Sequence, residues 1–291
     1  GPGGSIKVVR DEHTIARLGK GVDENRMILP ATFDRALNVL ERFKDLSDES
    51  GSTKILARGT SALRDAKNQQ EFIDFINQKL EFKIEVLSGD QEAELTYIGA
   101  VADAVHKPRP QNFAVLDIGG GSTELTEGTG FEVKAKRSVD MGSVRLTERF
   151  LKSSPPSAHA INEATRFIRS LVEDWPVLPS SAALIGVAGT LTTLASVDLA
   201  LPSFDRALVH KHVLTFETVD SRFKKLRDKN LEELKQVPQI LPERADIIVA
   251  GVLILLEVMK QLGADSITVS DRGLRYGILM KEVQREKASE Q

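Results

Sequence analysis

Asp117 closes an apolar run, Ala114-Val115-Leu116, and is followed after Ile118 by Gly119, Gly120, Gly121 and Ser122. A strand that delivers a carboxylate into a glycine triplet can do phosphate chemistry. Glycine turns freely and lets an oxyanion come close to backbone N–H groups. Ser122 adds a hydroxyl donor, and Asp117 can hold a divalent cation directly or through water. The same residues would also make a tight hairpin turn with a solvated aspartate. A second glycine turn, Ile185-Gly186-Val187-Ala188-Gly189-Thr190, follows another apolar strand. Alone it reads as a strand-to-helix connection. Together the two turns suit a grip on a phosphate chain from two sides. His210-Lys211-His212 has the alternation of a metal pair on one strand face. The more ordinary reading, polar residues lining a strand that continues through Val213 to Phe216, is preferred. His13, His106 and His159 are isolated.

The elements that must carry these residues alternate between strand and helix. Ile6 to Val9 and Thr14 to Leu18 read as extended. Pro30 opens an amphipathic helix with Phe33, Leu37, Leu40 and Phe43 at helical spacing. Lys54–Ala57 and Ile84–Leu87 read as strands, Asn68–Leu80 and Gln91–Val105 as helices, and Lys107-Pro108-Arg109-Pro110 as a loop. Phe113–Leu116 restarts the pattern. Glu124–Thr126 and Val133–Arg137 follow as hairpin partners, and helices are expected at Thr147–Leu151 and His159–Trp175. Ala183–Val187 and Ile267–Val269 are strands; Leu231–Val237, Ala245–Leu262 and Arg275–Glu286 are helices. Strands alternating with helices give an α/β fold with mixed sheets.

A chain of 291 residues suits two domains. Its net charge of -3 gives no global field for a polyanion, so any basic residues that bind one must be gathered locally. The absence of cysteine excludes disulfides and thiolate metal sites. The longest apolar run, Ile247 to Leu256, is too short for a membrane span and reads as a buried helix. With no secretory signal pattern, the default compartment is the cytoplasm. Gly1-Pro2-Gly3-Gly4-Ser5 reads as an appended tail or as a turn left behind by a lost strand.

Several segments together resemble the exopolyphosphatase / guanosine pentaphosphate phosphatase family. They are Thr60-Ser-Ala-Leu-Arg64-Asp-Ala66, Leu87-Ser-Gly-Asp-Gln-Glu92-Ala-Glu-Leu95, Asp117-Ile-Gly-Gly-Gly-Ser-Thr-Glu124, Gly142-Ser-Val-Arg-Leu146 and Ser270-Asp-Arg-Gly-Leu-Arg275. The likeness runs from about Arg17 to the C-terminus. It implies two ribonuclease-H-like domains of the actin, sugar kinase and Hsp70 superfamily around a cleft. Domain I is expected over 1–97, with the closing helix 279–291 packing back on it, and domain II over 98–278. On matched positions, Glu92 would be the catalytic glutamate that positions and deprotonates water. Gly119, Gly120, Gly121, Ser122, Gly189, Thr190 and Arg64 would bind phosphate, and Asp117 and Glu124 would hold the metal. Asp90 and Glu94 flank the catalytic position and are not assigned to it. Ser270–Arg275 reads as structural, and Lys281, Arg285 and Lys287 as a solvated helix face.

The resemblance implies hydrolysis of terminal phosphoanhydride bonds in inorganic polyphosphate or guanosine pentaphosphate (pppGpp), with Mg²⁺ or another divalent cation. Neither nucleic acid nor membrane is an expected partner, and a homodimer is compatible with the sequence. Two other readings are carried: an ATPase or kinase of the same superfamily, and a non-catalytic sensor of guanosine tetra- or pentaphosphate. Family members also carry an N-terminal strand and loop of the type Asp-Ile-Gly-Thr-Asn-Ser. Nothing before Thr14 matches it, so half of the phosphate cradle is expected to be missing.

Overall fold

The computed structural model describes residues 8–14, 16, 18–19, 22–105 and 111–289. The chain divides into two compact units, Gly1–Gly89 and Asp90–Gln291. Within the first unit lie α1 (Val22–Asn25), α2 (Pro30–Glu49), β1 (Ala57–Gly59), α3 (Ser61–Arg64), α4 (Gln69–Leu80) and β2 (Ile84–Val86). Pro30 sits in the first turn of α2, where its missing N–H costs nothing. Phe33 and Ala36 of α2 face Phe72, Ile73 and Ile76 of α4, and the Phe33 and Phe72 rings meet edge to face at 5.1 Å. β1 and β2 pair in parallel, Ala57 opposite Ile84. The strand expected over Lys54–Ala57 therefore lies further along the chain. Only residues opposite β2 find ladder partners, and Lys54 and Ile55 stay exposed. Of the expected first strand, Ile6 and Lys7 lie outside the described residues, and Val8 and Val9 are exposed and irregular. Ile15 and Arg17 of the expected extended segment Thr14–Leu18 also lie outside them, as does the loop 107–110.

The second unit is built on α5 (Gly89–Val101) and a six-stranded mixed sheet. Its strands are β3 (Asn112–Ile118), β4 (Thr123–Thr129), β5 (Glu132–Val139), β6 (Ala183–Val187), β7 (Val213–Thr215) and β8 (Ser266–Val269), in spatial order β5-β4-β3-β6-β8-β7. β3, β4 and β5 form an antiparallel meander, and β3, β6 and β8 run parallel. The helices are α6 (Ser143–Arg149), α7 (Ala158–Val172), α8 (Ala188–Asp198), α9 (Arg206–Val209), α10 (Phe216–Arg227), α11 (Leu231–Lys235), α12 (Ile248–Leu262) and α13 (Leu274–Ser289).

β3 is covered on both faces, which is why it reads as a continuous apolar run. Ala114, Leu116 and Ile118 join the larger core with α12, while Phe113 and Val115 pack with Tyr97, Ala100 and Val101 of α5. The apolar run in α12 is a buried helix, as expected. Its single buried charge, Glu257, is paired with Arg169 at 2.6 Å and Lys260 at 2.7 Å. No helix among the described residues is long and apolar enough to cross a membrane. α13 packs on α5: a side chain on Gly277 would strike the Leu95 carbonyl, and one on Gly99 would strike the Gly273 carbonyl. The close packing is thus permitted by Gly99 and Gly277; a side chain on Gly273 itself would meet only Val187 Cβ at 3.9 Å, an ordinary contact.

Three expectations shift. The helix expected at Thr147–Leu151 begins at Ser143, because the glycine loop anchors its first N–H groups. The strand expected through Phe216 stops at Thr215, whose hydroxyl accepts the Thr218 N–H at 3.1 Å and starts α10. His210 and His212 do not share a strand face. They flank Lys211, which has φ +71, in the turn before β7. His210 lies between Asp103 at 3.0 Å and Asp271 at 2.8 Å, whereas His212 bonds Asp198 at 2.8 Å.

Candidate active site

Side chains alternate along a strand, so Phe113, Val115 and Asp117 of β3 share one face. The first two lie in the apolar cluster under α5, and Asp117 continues their row at the end of the strand. Its cross-strand partner on β4 is Glu124, and Val115 opposes Thr126. On α5, Glu92, Ala93 and Thr96 occupy one helical face and close the same space. Glu92, Ala93, Thr96, Val115, Asp117, Glu124 and Thr126 line one pocket. Two strands and one helix thereby bring together three carboxylates distant in sequence.

The electrostatics follow from that assembly. Burial pushes the Asp117 carboxyl up to about 8, and the charges of Glu124 and then Glu92 push in the same direction. Glu124 accepts a hydrogen bond from the Ser138 hydroxyl of β5 at 3.2 Å. Among the described residues, no three His, Cys, Asp or Glu side chains form a ready-made metal centre. Asp117 and Glu124 are hard oxygen donors on neighbouring strands, the donor type that suits Mg²⁺ or a similar ion.

Gly119–Ser122 turn β3 into β4, and the Gly119 N–H donates to the Ser122 carbonyl at 3.0 Å. The carbonyls of Gly119 and Gly120 are committed to α6. They accept the N–H groups of Ser143 at 2.9 Å and of Val144 and Arg145 at 2.9 and 3.1 Å. What the loop can offer a ligand is therefore its N–H edge. Gly142 permits this docking, since a Cβ there would lie 2.3 Å from the Gly120 carbonyl carbon.

β6 lies beside β3 in parallel, with Val187 opposite Asp117. The second glycine turn therefore begins at the same end of the sheet. Ala188 has φ +71, and Gly189 and Thr190 enter α8. The Arg244 guanidinium fills the place where a side chain on Gly189 would stand, 1.6 Å from the nearest guanidinium nitrogen. Burial pushes the pKa of Arg244 down from its ordinary value, against the pull of Glu243. Thr190 is buried against Gly251 of α12. In the first unit, Arg64 donates from Nη1 to the Leu87 carbonyl at 2.9 Å, beside the end of β2. Sequence reasoning missed Arg244 because no local motif marks it. It sits in a short turn, Pro242–Arg244, and reaches Gly189 only through the fold.

The chain is similar to known proteins. Residues 2–286 match the Ppx/GppA phosphatase family, so the likeness begins ahead of Arg17. Exopolyphosphatase 2 of Mycobacterium tuberculosis is 31% identical, over 95% of this chain and 90% of its own length. A guanosine-5'-triphosphate,3'-diphosphate pyrophosphatase of Vibrio parahaemolyticus is 30% identical over 96% of this chain, which spans only 55% of that protein. The crystal structure of an Aquifex aeolicus member of the Ppx/GppA family superposes with a TM-score of 0.82 at 31% identity, covering 97% of this chain and 91% of that one. With a parallel and antiparallel sheet that sets a carboxylate against a glycine loop, and a match over nearly its whole length, this chain belongs to the Ppx/GppA phosphatase family.

Proposed function

We propose that the protein hydrolyses terminal phosphoanhydride bonds, releasing orthophosphate from inorganic polyphosphate or from the 5′ end of pppGpp. The observation that carries this reading is a pocket lined together by Glu92, Asp117 and Glu124, at the end of the strand that leads into the Gly119–Ser122 loop. The named activities of the Mycobacterium and Vibrio relatives supply the substrate classes.

In this reading Glu92 accepts a proton from the attacking water. The water oxygen bonds to the terminal phosphorus as the bridging P–O bond breaks. The departing chain leaves one phosphate shorter. Phosphoryl transfer asks chiefly for in-line positioning and charge neutralisation. The N–H groups of Gly120 and Gly121 and the Ser122 hydroxyl supply donors to the terminal phosphate. Gly189 and Thr190, with Arg244 behind Gly189, serve the second turn. Asp117 and Glu124 would hold a divalent cation, most simply Mg²⁺, which supplies positive charge to the phosphate oxygens. A carboxyl driven up to about 8 by burial and two other carboxylates is a natural place for a cation to bind.

Replacing Glu92→Gln keeps shape and hydrogen-bonding capacity while removing the base. It should lower kcat by about 10²–10⁴-fold with little change in KM. Glu94→Gln is the matched control, because Glu94 makes a surface contact with Lys281 at 3.3 Å. Turnover by Glu92→Gln within threefold of the parent would remove Glu92 from the reaction. An essential Glu94 would move the role two residues along α5.

A further inference from the structure

Thr96 lines the pocket together with Glu92, Asp117 and Glu124, and it stands one helical turn along α5 from Glu92. It is 4% exposed, and its hydroxyl oxygen is buried with no hydrogen-bond partner among the described residues. A helical threonine ordinarily satisfies its hydroxyl on the carbonyl four residues back. Thr147 does so on Ser143 at 2.8 Å, and Thr192 on Ala188 at 3.3 Å. Thr96 makes no such bond to Glu92. A buried hydroxyl left unbonded destabilises a fold, and valine has the same outline without that penalty. The neighbouring Ala93 and Val115 are apolar, so packing alone does not ask for a hydroxyl here. The pocket has a volume of ≈ 10 Å³, the room of about one water. A water held in a protein takes two to four polar partners, and Thr96 and the three carboxylates can supply them.

We propose that Thr96 is a further catalytic residue, whose hydroxyl oxygen accepts one hydrogen of the attacking water while Glu92 takes the other. This deepens the hydrolytic reading and rests on it. A water gripped by both hydrogens keeps its lone pairs for the terminal phosphorus. The Thr96 O–H can donate in turn to a carboxylate oxygen of the pocket, so threonine never ionises. As the new O–P bond forms, one proton passes to Glu92. The other stays on the oxygen and leaves with orthophosphate, and the electron pair of the broken bridging bond stays on the departing chain. The contact is made to water and not to polyphosphate or pppGpp, so its loss falls on kcat rather than KM.

Steady-state phosphate release from polyphosphate and from pppGpp, read beside thermal melting of the full chain, tests it. Thr96→Val removes the hydroxyl at nearly constant volume. It should lower kcat about 10-fold, the worth of one hydrogen bond, with KM within about twofold of the parent and melting at or above the parent's. Thr96→Ser returns the hydroxyl and should bring kcat back to within about threefold. A packing role would order the two variants the other way, because valine fills the site and serine leaves a gap. If Thr96→Val keeps kcat within about twofold of an active parent, the inference falls and the proposed function stands. The same holds if serine fails to recover the loss, or if KM or melting worsens in step with kcat. A parent that releases phosphate from neither substrate overturns the hydrolytic reading and this inference with it.

Discussion

At the scale of single residues, the account turns on what surrounds Asp117. Its carboxyl is desolvated by the helix above it and opposed by Glu124 and Glu92. Asparagine has nearly the same shape but no charge to give a cation. Asp117→Asn should therefore abolish phosphate release or raise the divalent cation needed for half-activity by at least about tenfold, as read from a Mg²⁺ titration after exhaustive chelation. Unchanged Mg²⁺ dependence, or full parental activity in the presence of chelator, would contradict the metal role. Asp117, the glycine triplet and the second glycine turn were legible because their signals are local: an apolar run ending in a turn. Thr96 and Arg244 had no local signal.

At the scale of elements, the glycine loop and α6 behave as one unit. Ser143, Val144 and Arg145 donate to the loop's carbonyls, and Gly142 fits against Gly120 only because it lacks a side chain. Its clash would be with backbone, which cannot rotate aside. Gly142→Ala should cost about 1–3 kcal/mol of stability by overpacking and should raise KM as the loop is displaced. Thermal melting and steady-state kinetics read the two effects, and a variant unchanged in both would mean that the loop is not held by α6. A second element-level joint is the turn between α9 and β7. Burial pushes the His210 pKa below 6.5, although its hydrogen bond to Asp103 pulls it up; Arg272 and Lys211 push it down. Asp271 also faces the ring, at 2.8 Å. The unfolded chain then takes up a proton more readily than the folded one. The stability contributed by neutral His210 is present above pH 6.5 and is lost as pH falls below it. Asp103 acts in the same direction at lower pH. Burial raises its pKa, but the His210 hydrogen bond and the charges of Arg272 and Lys211 hold it below 3.8, so its contribution is lost below about that pH. His210→Gln should flatten the fall of unfolding free energy as pH drops below 6.5, and a slope equal to the parent's would exclude His210 as its source. This joint escaped the sequence because His210-Lys211-His212 followed by Val213 reads as one extended run. In the fold, Lys211 adopts φ +71 and sends the two rings to different carboxylates.

At the scale of the whole molecule, the α/β class was legible from alternating elements. The central strand, the buried helix α12 and the β4–β5 hairpin were legible from apolar runs and their turns. The start of α10 was not, since it follows β7 without a glycine or proline to mark the change. What no window of sequence could supply is the assembly of the pocket. Glu92 faces Asp117 because α5 packs its apolar side on Phe113 and Val115, and Glu124 joins them through strand register. The motifs identified which residues to watch, and the sheet explains how three of them share one space. The central claim, that this family member is a hydrolase of terminal phosphoanhydrides, is tested most directly by measuring orthophosphate release from long-chain polyphosphate and from pppGpp, with ATP in parallel and Mg²⁺ present. The account predicts phosphate release from at least one of the first two, in preference to ATP. Binding of guanosine tetra- or pentaphosphate with no phosphate released, or turnover confined to ATP, would contradict it.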